Sequence, residues 1–143
     1  MGIGKAKLRT HCPINFSLEI FGDKWSLLIV RDLAFKGMRY YGEFMNAGEG
    51  FATNILAHRL NVLEDADIIK KEIDKNKKSR YIYSLTEKGI ALVPMLIEMV
   101  MWGSVYDKDT ASPPEFIKRL KNDKENVIKE FMIALRKTHL KKR

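Results

Sequence analysis

The sequence predicts a mainly helical α+β domain carrying one small β-hairpin. Three observations lead there. Apolar residues recur every three or four positions over most of the chain. Over residues 68–73 they alternate with charged ones, and after a lysine-rich stretch they resume at Tyr81, which reads as strand, turn, strand. With 143 residues, 45% of them hydrophobic, and a single cysteine, the fold has to rest on one packed core without disulfides or a cysteine metal cluster.

Each element follows in order. Pro13 after Cys12 suits the first position of a helix, Phe16, Ile20 and Phe21 give it an apolar side, and Gly22 stops it. Over 24–34, Trp25, Leu28, Ile29 and Leu33 fall at helical spacing, and Gly37 supplies the next turn. A short helix over 41–46 leads into the loop "AGEG" and then into a longer helix over 52–65. The strands flank "DKNKKS". Thr86 caps a further helix that runs to about residue 105, with a kink expected at Pro94. "DKDTASPP" reads as a linker, and from Glu115 onward Phe116, Ile117, Leu120, Val127, Ile128, Phe131 and Leu135 line one side of an amphipathic helix. The chain thus divides into a basic arm over 1–12 with Cys12, a domain over 13–105, a linker over 106–114, and a C-terminal helix with basic tail over 115–143.

The net charge of +8 is unevenly placed. Lys5, Lys7 and Arg9 mark the N-terminal end, and residues 113–143 hold ten basic against four acidic groups, so the middle is close to neutral. Within that middle, Lys70, Lys71, Lys75, Lys77, Lys78 and Arg80 crowd into the hairpin. The N-terminus carries no apolar stretch suited to a signal peptide, so a cytoplasmic location is expected. The apolar run at 90–102 is short for a bilayer and contains Pro94 and Glu98, so no membrane role is expected. His11, His58 and His139 fall in different elements and no phosphate-binding glycine loop is present, so neither an enzyme, a metal site nor a cofactor is expected.

Helix, helix, short helix, turn, longer helix and two-stranded hairpin is the order of a winged helix-turn-helix domain. At 100° per residue, Ala52, Leu56, Leu60 and Leu63 lie within about 40° of one direction, while Asn54, His58 and Asn61 point the opposite way. Amides there suit base edges, since asparagine bonds adenine bidentately in the major groove. Thr53 and Ala57 flank that face, within reach of a phosphate or a thymine methyl. Lys75, Lys77, Lys78 and Arg80 then fall where the hairpin meets the sugar-phosphate backbone, and Arg39 beside the preceding turn adds a candidate phosphate contact. The same polar residues also fit an ordinary solvated face, and the hairpin beside them is what favours double-stranded DNA. A winged helix that docks on another protein without reading DNA is the alternative.

The stretches "CPINFSLEIFGDKWSLLIVRDL", "MRYYGEF", "ILAHRLNVLE", "YSLTEKG" and "LVPMLIEMVMWG" resemble the HxlR-type winged-helix transcriptional regulators, over roughly residues 11–103. The resemblance implies a homodimer that binds an operator near a promoter, usually as a repressor. It places Trp25, Tyr41, Phe44, Leu56, Leu60 and Leu63 in the core, Thr53, Asn54 and His58 toward DNA, and 75–80 in the wing. Three positions depart from the family pattern: Ala52 replaces a capping serine, Tyr40 a commonly basic residue, and Asp67 a glycine that closes the helix.

Two further expectations concern regulation and assembly. Cys12 before Pro13, with Arg9 and His11 nearby, sits where a helix start favours a thiolate, so it is a candidate sensor of oxidants or electrophiles; a small buried apolar role is the other reading. Some relatives sense through this position, and the effector would be an oxidant or a small molecule. The helix from Ile90 to Trp102 is apolar around most of its circumference, which a small domain cannot cover alone. A homodimer interface is therefore expected to include Phe16, Ile20, Met95, Met99 and Trp102.

Overall fold

A computed structural model describes residues 8–140. Lys5, Lys7 and the basic tail at 141–143 lie outside the described residues. The element order is α1 (Pro13–Phe21), α2 (Ser26–Phe35), α3 (Tyr41–Met45), α4 (Thr53–Asp65), β1 (Ile69–Ile73), β2 (Tyr81–Leu85), α5 (Glu87–Ile90), α6 (Val93–Tyr106) and α7 (Pro114–His139). β1 and β2 form an antiparallel hairpin in which Ile69 faces Leu85 and Ile73 faces Tyr81. This is the mainly helical fold with one hairpin that the sequence predicts.

The helical seams meet in one core. Ile29, Val30 and Leu33 of α2, Phe44 of α3, and Leu56, Leu60 and Leu63 of α4 pack with Ile68, Leu85, Ile90 and Ile97. Ala52 does not join the seam. It is the exposed residue before α4, in extended conformation, so helical phasing does not reach it, and no side chain caps the helix there. Ile20, expected at a dimer interface, is buried in the core instead, at 2% exposure.

The longer predicted helix after Thr86 is two. Thr86 Oγ1 accepts from the Gly89 N–H at 3.1 Å and starts α5, the chain turns at Ala91 and Leu92, and α6 restarts with Pro94 in its first turn. A proline at that position needs no amide hydrogen, so it opens a helix rather than kinking one. The stretch Glu87–Tyr106 is long and apolar enough in composition to cross a membrane, but the break leaves α6 with 14 residues, about 21 Å of helix, against a hydrocarbon core of about 30 Å. Val93, Leu96 and Ile97 of α6 face the core, while Met99, Trp102, Val105 and Tyr106 stay exposed.

α7 packs back on its own chain, against α6, α5 and β2. Leu120, Val127 and Leu135 are buried, and Phe131 meets Phe35 of α2 edge-on at 5.0 Å. The helix kinks at Asp123, whose φ of −151° leaves the helical range. At its far end His139 is buried, and its Nδ1 accepts from the Leu85 N–H at 2.8 Å, so the last turn of α7 closes the end of β2.

That bond requires a neutral imidazole. Burial, with the nearby Arg39 cation, lowers the His139 pKa to about 4. Unfolded, the same imidazole titrates near its ordinary 6.5, so between about 6.5 and 4 the unfolded chain binds more protons and folding weakens as pH falls. Urea unfolding at successive pH values should show a loss of about 3 kcal/mol across this window, and the step should disappear in His139→Leu.

Candidate DNA-binding surface

Local contacts fix both ends of α4. At its start, Tyr41 Oη donates to the Thr53 carbonyl at 3.1 Å, and Phe51 is buried against the Trp25 ring at 5.0 Å. Gly48 and Gly50 in the preceding loop both take positive φ, 86° and 74°, which glycine adopts without strain. Arg31 ties that loop to α2 by donating to Asp32 at 2.7 Å and Glu49 at 2.9 Å. Burial raises the Asp32 carboxyl pKa and outweighs the Arg31 cation, which lowers it; the second carboxylate oxygen has no hydrogen-bond partner among the described residues.

At its end, the Ile68 N–H donates to the Leu63 carbonyl at 2.9 Å and the Asp67 N–H to that of Glu64 at 3.0 Å, the paired bonds of a Schellman turn. Asp67 takes the left-handed conformation that the turn requires, φ 61°, where glycine would be less strained.

The face thus held is the one predicted. Thr53, Asn54, Ala57, His58 and Asn61 are all exposed, while Leu56, Leu60 and Leu63 opposite them are at most 3% exposed. Asn54 and His58 border a cleft of about 340 Å³ whose other wall is Asp23, Lys24 and Trp25. Lys24, which the sequence reading did not single out, therefore stands beside the amide face, with its ammonium 5.1 Å from the Trp25 ring centre. Asp23 organises this wall. Burial works to raise its pKa, but hydrogen bonds from Ser26 and Trp25, with the Arg59 cation, outweigh it and hold the carboxyl below its ordinary value.

The hairpin cations divide into two groups. Lys75, Lys77 and Lys78 are exposed on the turn, as expected. Arg80 and Arg39 are engaged by the protein. Arg80 donates from Nε to Asp74 at 2.8 Å, and its guanidinium stacks 3.7 Å above the Tyr40 ring centre. Arg39 donates to the Tyr83 carbonyl and to Ser84 Oγ, each at 2.7 Å, while its own carbonyl accepts from the Tyr83 N–H at 2.8 Å. The chain at Arg39 thus lies along β2, and its guanidinium is turned to the strand rather than presented as the phosphate contact expected from sequence. Between α3 and the hairpin, Tyr40, Tyr41, Tyr81 and Tyr83 line an open cleft of about 840 Å³.

A turn-linked helix pair whose second helix shows amides to solvent, flanked by a lysine-tipped hairpin, defines a winged helix-turn-helix regulator of transcription. The comparisons agree. The model of the HxlR-like helix-turn-helix family matches residues 20–111, and the protein belongs to that family. A helix-turn-helix transcriptional regulator of Synechocystis is 39% identical over 93 residues, covering 65% of this chain and 68% of the relative. The crystal structure of PA1607 superposes with a TM-score of 0.66 at 38% identity, over 73% of each chain. The redox regulator HypR, in its oxidised form, superposes with a TM-score of 0.60 at 28% identity, over 67% of this chain and 98% of that one. α7 lies beyond the family match.

Proposed function

We propose that the protein is a homodimeric repressor that binds an inverted-repeat operator, each α4 reading bases in a major groove while the hairpin lysines hold the backbone. The observation that carries this reading is the position of Asn54, His58 and Asn61, exposed together on the side of α4 opposite its buried leucines, on the helix that packs against β1 of the lysine-tipped hairpin. Asn54, His58 and Asn61 contact base edges, Thr53 and Ala57 flank them, and Lys75, Lys77, Lys78 and Lys24 neutralise phosphates. Binding to an operator that overlaps a promoter excludes polymerase and represses.

Titrations on operator and unrelated duplexes at several salt concentrations test the roles separately. Asn54→Ala should lose discrimination between sequences. Lys77→Ala should weaken every duplex alike and lower the salt slope by about one. An unaltered protein that prefers no sequence would leave the protein-docking alternative standing.

The apolar surface of α6 supports the dimer. Met99 is 51%, Trp102 69% and Tyr106 73% exposed, and Phe16 on α1 is 39% exposed. Met95 is half-buried at the edge of this patch. Covering such a surface with a twofold mate would set two recognition helices about 34 Å apart, one turn of DNA. Light scattering should find a dimer, and Trp102→Glu should convert it to monomers that bind half-sites weakly.

A second reading adds a thiol switch. Cys12 is exposed at the residue preceding α1, its N–H donating to Thr10 Oγ1, so the buried apolar role is unsupported. Likeness to a redox regulator supports oxidant control through this thiol. Oxidation or alkylation of Cys12, confirmed by mass spectrometry, should lower operator affinity at least several-fold, with Cys12→Ser insensitive. Complete alkylation that leaves affinity unchanged refutes the switch.

A further inference from the structure

We propose that Tyr40 is a positioning residue for DNA binding: its ring is the platform on which Arg80 and Asp74 set the angle of the wing. The inference rests on the reading that the hairpin lies against the DNA backbone. The turn over 74–80 closes at its neck, where the Asp74 N–H donates to the Arg80 carbonyl at 3.0 Å and the Arg80 guanidinium binds the Asp74 carboxylate at 2.8 Å. Asp74 is buried there and also accepts from the Asn76 N–H at 3.1 Å. The neck meets the helical part of the domain through the stack of Arg80 on Tyr40. Tyr40 is itself fixed: it immediately precedes α3, and its N–H and that of Arg39 both donate to Glu43 Oε1.

A two-stranded hairpin is marginally rigid alone, and its tip would sample many angles. Locking the neck sends Lys75, Lys77 and Lys78 out together in one direction. Arginine is the cation suited to this task, since its planar group stacks on a ring while forking to a carboxylate, which an ammonium cannot imitate. Arg80 is committed to the Asp74 carboxylate and to the Tyr40 ring, so this cation orients the lysines without replacing one of them.

The experiment compares Tyr40→Leu, Arg80→Lys and Tyr40→Trp in the full chain, using amide hydrogen exchange over 74–80 and duplex titrations across a salt series. Tyr40→Leu and Arg80→Lys should each speed exchange in the turn and weaken all duplexes about five-fold, with the salt slope unchanged because the lysines remain. Tyr40→Trp should restore both readouts, and Tyr40→Leu combined with Arg80→Lys should be no weaker than either alone. The proposal is overturned if Arg80→Lys binds like the unaltered protein, or if the slope falls by one in an Arg80→Gln variant while Tyr40→Leu binds normally; either marks Arg80 as a phosphate contact. Faster exchange with undiminished DNA affinity overturns this proposal alone, whereas no duplex binding by the unaltered protein overturns the functional reading as well.

Discussion

The geometry of the candidate DNA-binding surface depends on one tight turn, at residues 66–68, where α4 ends and β1 begins almost without a connection. Asp67 in the left-handed region lets Ile68 fold back onto Leu63, so the end of the helix and the start of the strand bury the same patch of core. The chain beyond β2 secures this junction. Thr86 Oγ1 donates to the Asp67 carbonyl at 2.6 Å, and Lys88 Nζ donates to that of Ala66 at 2.7 Å. Gly89 passes so near that an added Cβ would lie 2.2 Å from the Ile68 oxygen. A helix and a basic hairpin adjoin in sequence because this turn makes them adjoin in space, at a fixed angle.

Around that junction the cations follow a division of labour set by their chemistry. Arg31, Arg39, Arg59 and Arg80 each engage protein partners: Asp32 and Glu49, Tyr83 and Ser84, Asp23, and Asp74 with Tyr40. Planar guanidinium groups with several fixed donors suit such ties. The turn, in contrast, presents ammonium groups on flexible stems, a chemistry suited to the phosphate backbone that we propose it meets. Apart from Lys88, which ties the junction itself, arginines build the frame there and lysines populate its surface.

Much of this was legible in the sequence because it is written in periodicity. The leucines of α4 repeat at helical spacing, so the side opposite them had to face solvent, and alternation around "DKNKKS" placed the hairpin. The partners of Arg39 and Arg80 were illegible, since a cation in a basic stretch looks the same whether it meets a phosphate or a carboxylate brought near by folding. Ile20 was misplaced for a similar reason: α1 has apolar residues on more than one side, and only tertiary packing selects the buried one. Pro94 signalled a disturbance but not its form, as the ring is equally compatible with a kink or a new first turn. The bend at Asp123 has neither glycine nor proline to announce it, and the hydrogen bond from Leu85 to His139 spans 54 residues, beyond the reach of any local pattern.

That long-range bond has a bearing on the order in which the molecule is completed. The second wing strand leaves the ribosome well before the residue that terminates it, and at ordinary synthesis rates of roughly 5–20 residues per second the interval amounts to seconds. During it the hairpin has one end unfinished and the apolar side of the last helix has yet to arrive. A nascent chain therefore exposes the apolar flank of β2 until α7 has emerged, and the domain is completed only when His139 reaches Leu85.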